Sequence, residues 1–400
     1  MANSFSASFR EVWAKEQQRI FYKVNVARQI ADVSFEPELK EGNTFSRTYR
    51  SSNGIQRYTR GTDITIDDKT DTKESLVVVQ SFATGFYIDD LDAIQNSVDA
   101  AANYGKDDGV YLSNQIDADI LGEYQNAVSI VDDGALGGTT GNGIQVSAAN
   151  VLDIFAAAKK KLRKQSIPLE MGLFAVVSPE MGEVLEKMVA GRDTSKGDDA
   201  LGNGFIGKFL GFSTYSSNQT AGSAPLTLAT QPTDGDTVNI NGVTFTFKTT
   251  LGTTAGNVLI GANAAEAQTN LRTLINAPGT TTSTGVALSE ANKRLFVNAT
   301  MSAFSSNIAT VIFKGVGVLT VSSVLTAATD GWSSTKQLQH NLFGVKGGTA
   351  FIIQKEAKPV FKDEPKRAGG NILNVILYGY KTFADGAKML VNVKLDSSSF

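Results

Sequence analysis

Clusters of aspartate are the residues of this sequence with the clearest potential for chemistry. Asp89, Asp90 and Asp92 stand together, and Asp198 is followed directly by Asp199. Paired carboxylates can act as general acid and base, or can bind a cation through oxygen. Neither cluster has a companion base, a nucleophile or a ligand spacing, so a helix N-terminus and a solvated loop explain them better.

Histidine and cysteine chemistry is almost absent. The chain has no cysteine and a single histidine, His340, which excludes thiolate nucleophiles, disulfides, Cys/His zinc sites and any two-histidine metal centre. No carboxylate near His340 in the sequence is placed to orient it. We therefore predict that His340 is a surface or loop residue without a catalytic role.

A glycine pattern near residue 202 resembles a nucleotide-binding motif. Gly202, Gly204 and Gly207 spell G-x-G-x-x-G, and the stretch to Lys208 almost spells a phosphate loop. A phosphate loop needs Ser or Thr after the lysine, whereas Phe209 stands there, and neither pattern follows a convincing strand or opens a helix. We expect no nucleotide, no other cofactor, no metal and no enzymatic activity.

Composition indicates a globular protein that binds rather than catalyses. The 400 residues are 42% hydrophobic and 19% charged, enough for one large core and a smaller one. The formal net charge is −3, which lacks the surplus of cations expected of a dedicated nucleic-acid binder. No run of about 18 apolar residues and no signal-type segment occurs, so we expect folding in a cytoplasm.

Two segments near the N-terminus have patterns typical of segments that contact another subunit. Residues 1–31 place apolar side chains, Phe5, Phe9 and Trp13 among them, at roughly helical spacing, as in an arm. Residues 43–76 then look like a polar extended hairpin with the turn dipeptide Asn53-Gly54 inside it. Its charges are segregated, with cations first and anions after: Arg47, Arg50, Arg57, Arg60, then Asp63, Asp67, Asp68, Asp71. A solvated hairpin whose charges pair weakly with each other is the alternative.

The middle of the chain predicts alternating strands and helices. A buried strand is expected at residues 76–79, and a helix N-terminus at Asp89. Two helical stretches, broken near Gly105 and Gly109, would follow and form a long spine. Further elements are then expected: a helix at residues 147–164 capped by Ser147, a buried strand at residues 173–177, and a helix begun by Ser178-Pro179.

Composition changes sharply at residues 223–332. This segment has 10 charged residues in 110, against 67 in the other 290, and it contains 21 threonines. Asn241-Gly242 between alternating apolar residues predicts a hairpin, and Asn263 with Glu266 resembles a capping box. Further strands are expected at residues 295–297 and 311–321. We predict an inserted β-rich module that contacts neighbours or is a passive surface module, after which strands at 351–353, 372–377 and 389–395 complete the α+β fold.

Taken in order, these segments resemble the major capsid protein of tailed double-stranded DNA bacteriophages, with the Hong Kong 97 type of fold. The stretch GKFLGFSTYSSN at residues 207–218 is similar to a strand pair near the tip of the family's axial domain, and residues 376–381 and 389–395 look like its closing segments. The resemblance covers residues 1–222 and 333–400. It implies the following division: 1–42 N-terminal arm, 43–76 extended loop, 77–135 peripheral domain with the spine helix, 136–222 axial domain, 223–332 inserted β-rich domain, 333–400 return to the axial and peripheral domains.

The resemblance also implies a function. Copies would assemble through pentamers and hexamers into an icosahedral shell around the genome, with arm and extended loop reaching over neighbouring subunits. The implied partners are the chain itself, scaffolding, portal and decoration proteins, and weakly contacted double-stranded DNA, but no membrane. The implied location is the virion, assembled in the bacterial host cytoplasm. The main alternative is another virion protein, a tail-tube subunit or adhesin, suggested by the β-rich module alone.

Overall fold

A computed structural model of the chain describes residues 26–39, 41–50, 55–64, 66, 68, 71–89, 100–190, 207–356, 360–363 and 369–397. The α-helices are α1 Ala27–Ile30, α2 Ala100–Gly122, α3 Val151–Lys164, α4 Pro179–Ala190, α5 Ala264–Asn276 and α6 Glu290–Leu295. The strands are β1 Thr44–Arg50, β2 Asp71–Val77, β3 Gln80–Asp89, β4 Ser129–Val131, β5 Leu173–Val177, β6 Lys208–Phe209, β7 Phe212–Ser216, β8 Ala221–Thr227, β9 Thr237–Ile240, β10 Val243–Lys248, β11 Asn257–Leu259, β12 Ala299–Met301, β13 Ile308–Phe313, β14 Val321–Val324, β15 Gly331–Trp332, β16 Leu338–Val345, β17 Ala350–Lys355, β18 Val360–Asp363, β19 Gly369–Lys381 and β20 Leu390–Asp396. The α+β fold class is confirmed.

One large sheet organises the described part of the chain. Its main path runs β12-β13-β8-β16-β5-β7-β6, with β15, β20 and β4 attached beside it. Strand β5 is buried along its whole length because its odd residues face one apolar cluster and its even residues the other. Burial on both faces is what a continuous apolar run requires, so the predicted buried strand at residues 173–177 is confirmed.

Helices α3 and α4 cover one face of this sheet. Helix α3 buries the five predicted residues, Val151, Ile154, Phe155, Ala158 and Leu162. The helix begins at Val151, after a turn, so the predicted start at Ser147 was wrong; the Ser147 N–H donates to Asn150 Oδ1 at 2.8 Å instead. Helix α4 begins at Pro179 with Ser178 Oγ accepting the Met181 N–H, as predicted.

The spine helix α2 covers the opposite face. It buries Leu112, Ile116, Ile120 and Leu121 against β5, β16 and β19. The predicted break near Gly105 and Gly109 was wrong, since one helix runs from Ala100 to Gly122. An internal glycine costs about 1 kcal/mol relative to alanine, which the packing of this apolar stripe outweighs.

A four-stranded sheet of β17, β18, β19 and β3 lies next to the spine helix. Strand β3 pairs with β19 along ten residues, from Gln80 opposite Tyr378 to Asp89 opposite Gly369. Asp89 therefore ends a strand and does not start a helix. The predicted buried strand at residues 76–79 is confirmed only in part. Leu76 and Val77 end β2, whereas residues 78 and 79 lie between β2 and β3, and only Leu76 and Val78 are buried.

Residues 223–332 contain their own apolar cluster. Its members run from Ala224 to Leu319, with Trp332 packed against them. The hairpin β9–β10 turns at Asn241-Gly242, both with positive φ, as predicted. Asn263 caps α5 by accepting the Glu266 N–H at 3.0 Å, as predicted, while Glu266 accepts from Ala262.

Two strands predicted for this segment are placed differently. Leu295 ends α6 and Val297 lies in a following 3-10 turn, both exposed, so the strand predicted at 295–297 begins only at Ala299. Residues 311–321 are the end of β13, a turn at Gly315 and Gly317 with positive φ, and the start of β14. Short apolar runs do not distinguish helix from strand.

The segment is joined closely to the rest of the chain. Strand β8 pairs with β13 on one side and with β16 on the other, so the large sheet is continuous across the junction. Gln115 on the spine helix exchanges two amide hydrogen bonds with Asn298, at 2.6 and 2.9 Å. A Cβ built on Gly315 would lie 2.7 Å from Ala118 Cβ, also on the spine helix.

The substitution Gly315→Ala is expected to weaken this joint. Alanine at φ +71° costs about 1–2 kcal/mol, and overpacking against Ala118 adds about 1–3 kcal/mol. Gly317→Ala is the matched control, because it has the same backbone strain (φ +70°) but no contact with the spine helix at its Cβ. The urea midpoint should fall further for Gly315→Ala, and equal midpoints would contradict the proposed role of the close contact.

Candidate assembly surfaces and their internal supports

The extended loop has a fixed base. Strands β1 and β2 pair in antiparallel register from Thr44 opposite Val77 to Arg50 opposite Asp71. The Arg47 guanidinium contacts Glu74 at 3.4 Å, forms an ion pair with Asp385, and lies 3.9 Å over the Phe383 ring. Burial opposes ionisation of Asp385, but the hydrogen bond and charge of Arg47 hold its pKa below the ordinary value. The base is therefore attached to the final part of the chain.

This places the predicted contact residues in three groups. Arg47 has its partners inside its own chain. Arg57, Arg60, Asp63, Asp68 and Asp71 are all exposed, and Arg50 is the β1 residue opposite Asp71. Phe5, Phe9, Trp13 and Asp67 lie outside the described residues, as do Asn53 and Gly54. The prediction that these residues contact another subunit remains a prediction.

Apolar side chains on the same loop were missed by the sequence reading. Ile55 is fully exposed, Ile66 is 89% exposed, and Tyr58 and Ile64 are also largely exposed. Single exposed apolar residues are normal on a surface, but several on one projecting segment indicate a contact site. Their signal in the sequence was three isoleucines in an otherwise polar segment.

The start of α1 is held by a buried carboxylate on the spine helix. Asp117 accepts the Val26 N–H at 2.8 Å and the Ala27 N–H at 2.7 Å. Burial raises the pKa of Asp117 to about 7, although both hydrogen bonds act in the opposite direction. The first described residues of the predicted arm, Val26 and Ala27, are thus fixed to the spine helix.

His340 is buried, so its prediction as a surface or loop residue was wrong. It lies on β16, where Nε2 is 2.8 Å from Ser223 Oγ and Nδ1 is 3.1 Å from Asn392 Oδ1. Its ring stacks on Tyr124, with centroids 3.9 Å apart. Burial lowers the pKa of His340 to about 3. It is therefore a neutral core histidine at the junction of β8, β16, β20 and the end of the spine helix.

A second buried polar group joins residues 223–332 to the spine helix. Asp119 accepts hydrogen bonds from the hydroxyls of Tyr378 and of Tyr380, the latter at 3.2 Å. Lys314, at the end of β13, lies 3.3 Å from the same carboxylate and 3.1 Å from the Tyr380 hydroxyl. Burial opposes the charge of Lys314, but Asp119 raises the lysine pKa above its ordinary value. The Lys314 ammonium is therefore charged at neutral pH.

The described residues do not assemble the chemistry considered for an active site. Among them, no group of three acidic or histidine side chains is placed to hold a metal ion. Gly202, Gly204, Asp90, Asp92, Asp198 and Asp199 lie outside the described residues. Lys208 begins a short strand, and β6 and β7 form a hairpin around Leu210 and Gly211, both with positive φ. None of the described helices is long and apolar enough to cross a membrane.

Part of the chain is similar to a known protein family. The model of a family described as phage capsid protein matches residues 72–247, which include the spine helix, β5 and the hairpin β6–β7. No curated protein sequence matches the chain. The family match therefore comes from the segment that positions the centre of the large sheet.

Solved structures match over nearly the whole chain. A Mycobacterium phage Che8 structure has a TM-score of 0.59 at 15% identity, covering 97% of this chain and 98% of the other. The capsid structure of cyanophage P-SCSP1u gives 0.53 at 11%, covering 98% and 94%. The mature capsid of bacteriophage PhiM1 gives 0.50 at 11%, covering 97% and 92%. At these identities the likeness establishes the fold, which is of the Hong Kong 97 type. The family match adds that residues 72–247 are similar to phage capsid proteins.

Proposed function

We propose that copies of this chain join through the extended loop into pentamers and hexamers, which tile an icosahedral shell around a DNA genome. The observation that carries the proposal is the group of exposed apolar side chains on that loop, above all Ile55 and Ile66. Burying one such side chain contributes about 1.5–3 kcal/mol. Contacts of this size, repeated around a closed lattice, add up to a stable shell.

The fixed base supports this role. A loop that reaches over a neighbour must keep its direction, and the β1–β2 ladder with the Arg47, Asp385 and Phe383 contacts provides that. The exposed cations and anions further along, such as Arg57 and Asp63, then add orientation and specificity more than affinity. The N-terminal arm, residues 1–42, is held to the spine helix at Val26 and Ala27 and is proposed to contact a neighbour in the same way.

The domain division is part of the same proposal. Residues 223–332 have a separate apolar cluster and low charge, which supports an inserted β-rich domain. Scaffolding, portal and decoration proteins are proposed partners, and the bacterial host cytoplasm is the proposed place of assembly. A structural rather than an enzymatic function is part of the same proposal.

Electron microscopy of the full-length recombinant protein tests the proposal. Wild type, alone or coexpressed with its scaffolding protein, is expected to form closed shells or rosettes of five and six subunits. The pair Ile55→Ser/Ile66→Ser should yield folded subunits without shells, because these exposed side chains contribute little to the apolar core of the subunit. Leu295→Ser/Val324→Ser, also exposed, is the control and should assemble normally.

Each contrary result has a distinct meaning. Tubes from wild type would favour a tail-tube subunit, and monomers in both preparations would contradict a shell protein. Normal shells from the Ile55/Ile66 variant would remove the extended loop from the interface.

A further inference from the structure

The last two turns of α3 carry a dense set of cations. We call Lys159, Lys160, Lys161, Arg163 and Lys164 the basic ridge. Lys160, Arg163 and Lys164 are exposed, and Lys159 and Lys161 are partly buried. Between Asp153 and Glu180 the sequence contains one carboxylate residue, Glu170. The ridge is therefore a local concentration of positive charge on a chain whose net charge is −3.

Within the described residues, no ion pair involves the ridge. Its one hydrogen bond to another element joins Lys159 Nζ to the Leu210 carbonyl at 2.9 Å. Two lysines on other helices differ, since Lys187 pairs with Glu183 and Lys293 with Glu290. The ridge is thus the largest group of cations without an ion pair on the described helices.

Helix stability alone does not account for the ridge. Cations in the last turn of a helix gain about 0.3–1 kcal/mol each from its dipole, but the benefit ends within that turn. The pairs Lys159/Arg163, Lys160/Lys164, Lys160/Arg163 and Lys161/Lys164 are three or four residues apart. Each like-charge pair of this spacing costs about 0.2–0.5 kcal/mol. Among the described residues, no carboxylate lies within ion-pair distance of the ridge to offset this repulsion, although Asp133, Asp153 and Asp396 line the same cavity as Lys160.

We propose that the basic ridge binds the phosphate backbone of duplex DNA, so that this end of α3 faces the packaged genome. The five residue steps from Lys159 to Lys164 span about 7.5 Å at 1.5 Å per residue. A duplex carries one phosphate per about 1.7 Å of axis, so about four phosphates lie along that length. Lys208 on the hairpin next to Lys159 is exposed and extends the same surface. The ridge therefore matches the charge density of a duplex without reading its sequence.

The inference rests on the proposed function, because only a genome-enclosing shell presents this face to DNA at high concentration. Contacts to three or four phosphates give weak binding for one subunit. Many subunits that each bind the packaged DNA weakly then hold it strongly together. Since counterion release controls such binding, affinity should fall steeply with salt, by a slope of about 0.9 for each contacted phosphate.

The test is fluorescence anisotropy of a 30-base-pair duplex with the full-length chain across a salt series. K160Q/R163Q/K164Q removes three exposed ridge cations and spares Lys159. R294Q/K362Q/K388Q removes three exposed cations elsewhere and changes the net charge equally. The ridge variant should bind at least tenfold more weakly at low salt and lose about 2.7 from the salt slope. The control variant should stay close to wild type.

Two results would overturn the proposal. Equal losses in both variants would mean that overall charge, not the ridge, governs binding. Stronger competition by a polyglutamate peptide than by unlabelled duplex at equal charge would point to an acidic protein partner. Electron microscopy of the same proteins separates the two proposals. If the wild type forms shells but the ridge variant binds DNA as tightly as the wild type, only the ridge proposal is refuted. If the wild type forms no shells, the proposed function is refuted.

Discussion

Replacing Asp119 by alanine should lower the free energy of unfolding by about 3–5 kcal/mol, the usual cost of leaving a buried charge unpaired. The substitution leaves the Lys314 ammonium without its counterion and removes the acceptor of the Tyr378 and Tyr380 hydroxyls. Asp119 is 7% exposed and Lys314 20% exposed, so water replaces these contacts only in part. Urea unfolding followed by circular dichroism measures the loss.

A double variant is the control for that prediction. Asp119→Leu with Lys314→Met removes both charges and keeps similar volumes, and replacing a buried ion pair in this way is often close to neutral. The double variant should therefore be more stable than Asp119→Ala. If both are equally destabilised, the hydrogen bonds of the two tyrosines, and not the buried charge, hold the joint.

Acidification should destabilise the protein through His340. Burial lowers the pKa of His340 to about 3 from the ordinary 6.5, so the folded state favours the neutral ring. The stabilisation of the folded protein by the neutral His340 ring is complete above pH 6.5 and is lost as the pH falls from 6.5 towards 3. A shift of this size corresponds to a loss on the order of 4 kcal/mol near pH 3. The neighbouring groups reinforce it, because Lys394 is positive and Tyr124, Ser223 and Asn392 supply no negative charge.

His340→Gln isolates this effect. Glutamine keeps polar atoms near Ser223 and Asn392 but does not titrate. Asp117, whose pKa is raised to about 7, works in the opposite direction, losing stability as the pH rises from 3.8 to 7. Asp117 has this effect in both proteins, so it cancels when the free energy of unfolding of the variant is subtracted from that of the wild type. The difference in free energy of unfolding should shrink as the pH falls from 8 to 4, and a constant difference would mean that folding does not lower the pKa of His340.

Local signals predicted local structure well. The apolar run of β5, the Ser178-Pro179 start of α4 and the Asn241-Gly242 turn each depend on neighbours within a few residues. The glycines at 105 and 109 misled because their cost is small beside the packing of the spine helix, which involves distant strands. Tertiary contacts thus decided where local preference was weak.

Contacts between distant parts of the chain, and the exposed apolar residues of the extended loop, were harder to predict. His340 is buried by Ser223 and Tyr124, more than 100 residues away, which no local pattern reveals. Arg47 finds Asp385 at a separation of 338 residues. The reading of the extended loop weighed its charges and passed over Ile55 and Ile66, because isolated isoleucines carry no periodicity.

The pairing of β8 with β16 has an evolutionary consequence. The chain enters residues 223–332 along β8 and leaves them along β16, where Ser223 lies opposite Leu338. Because these two strands are hydrogen-bonded neighbours, whatever lies between them can be lengthened, exchanged or deleted without separating its ends, and loop length alone adds little entropic cost. Relatives with this topology can therefore diverge by gaining or losing residues between these two strands, while β16 keeps its pairing with β5 and β20.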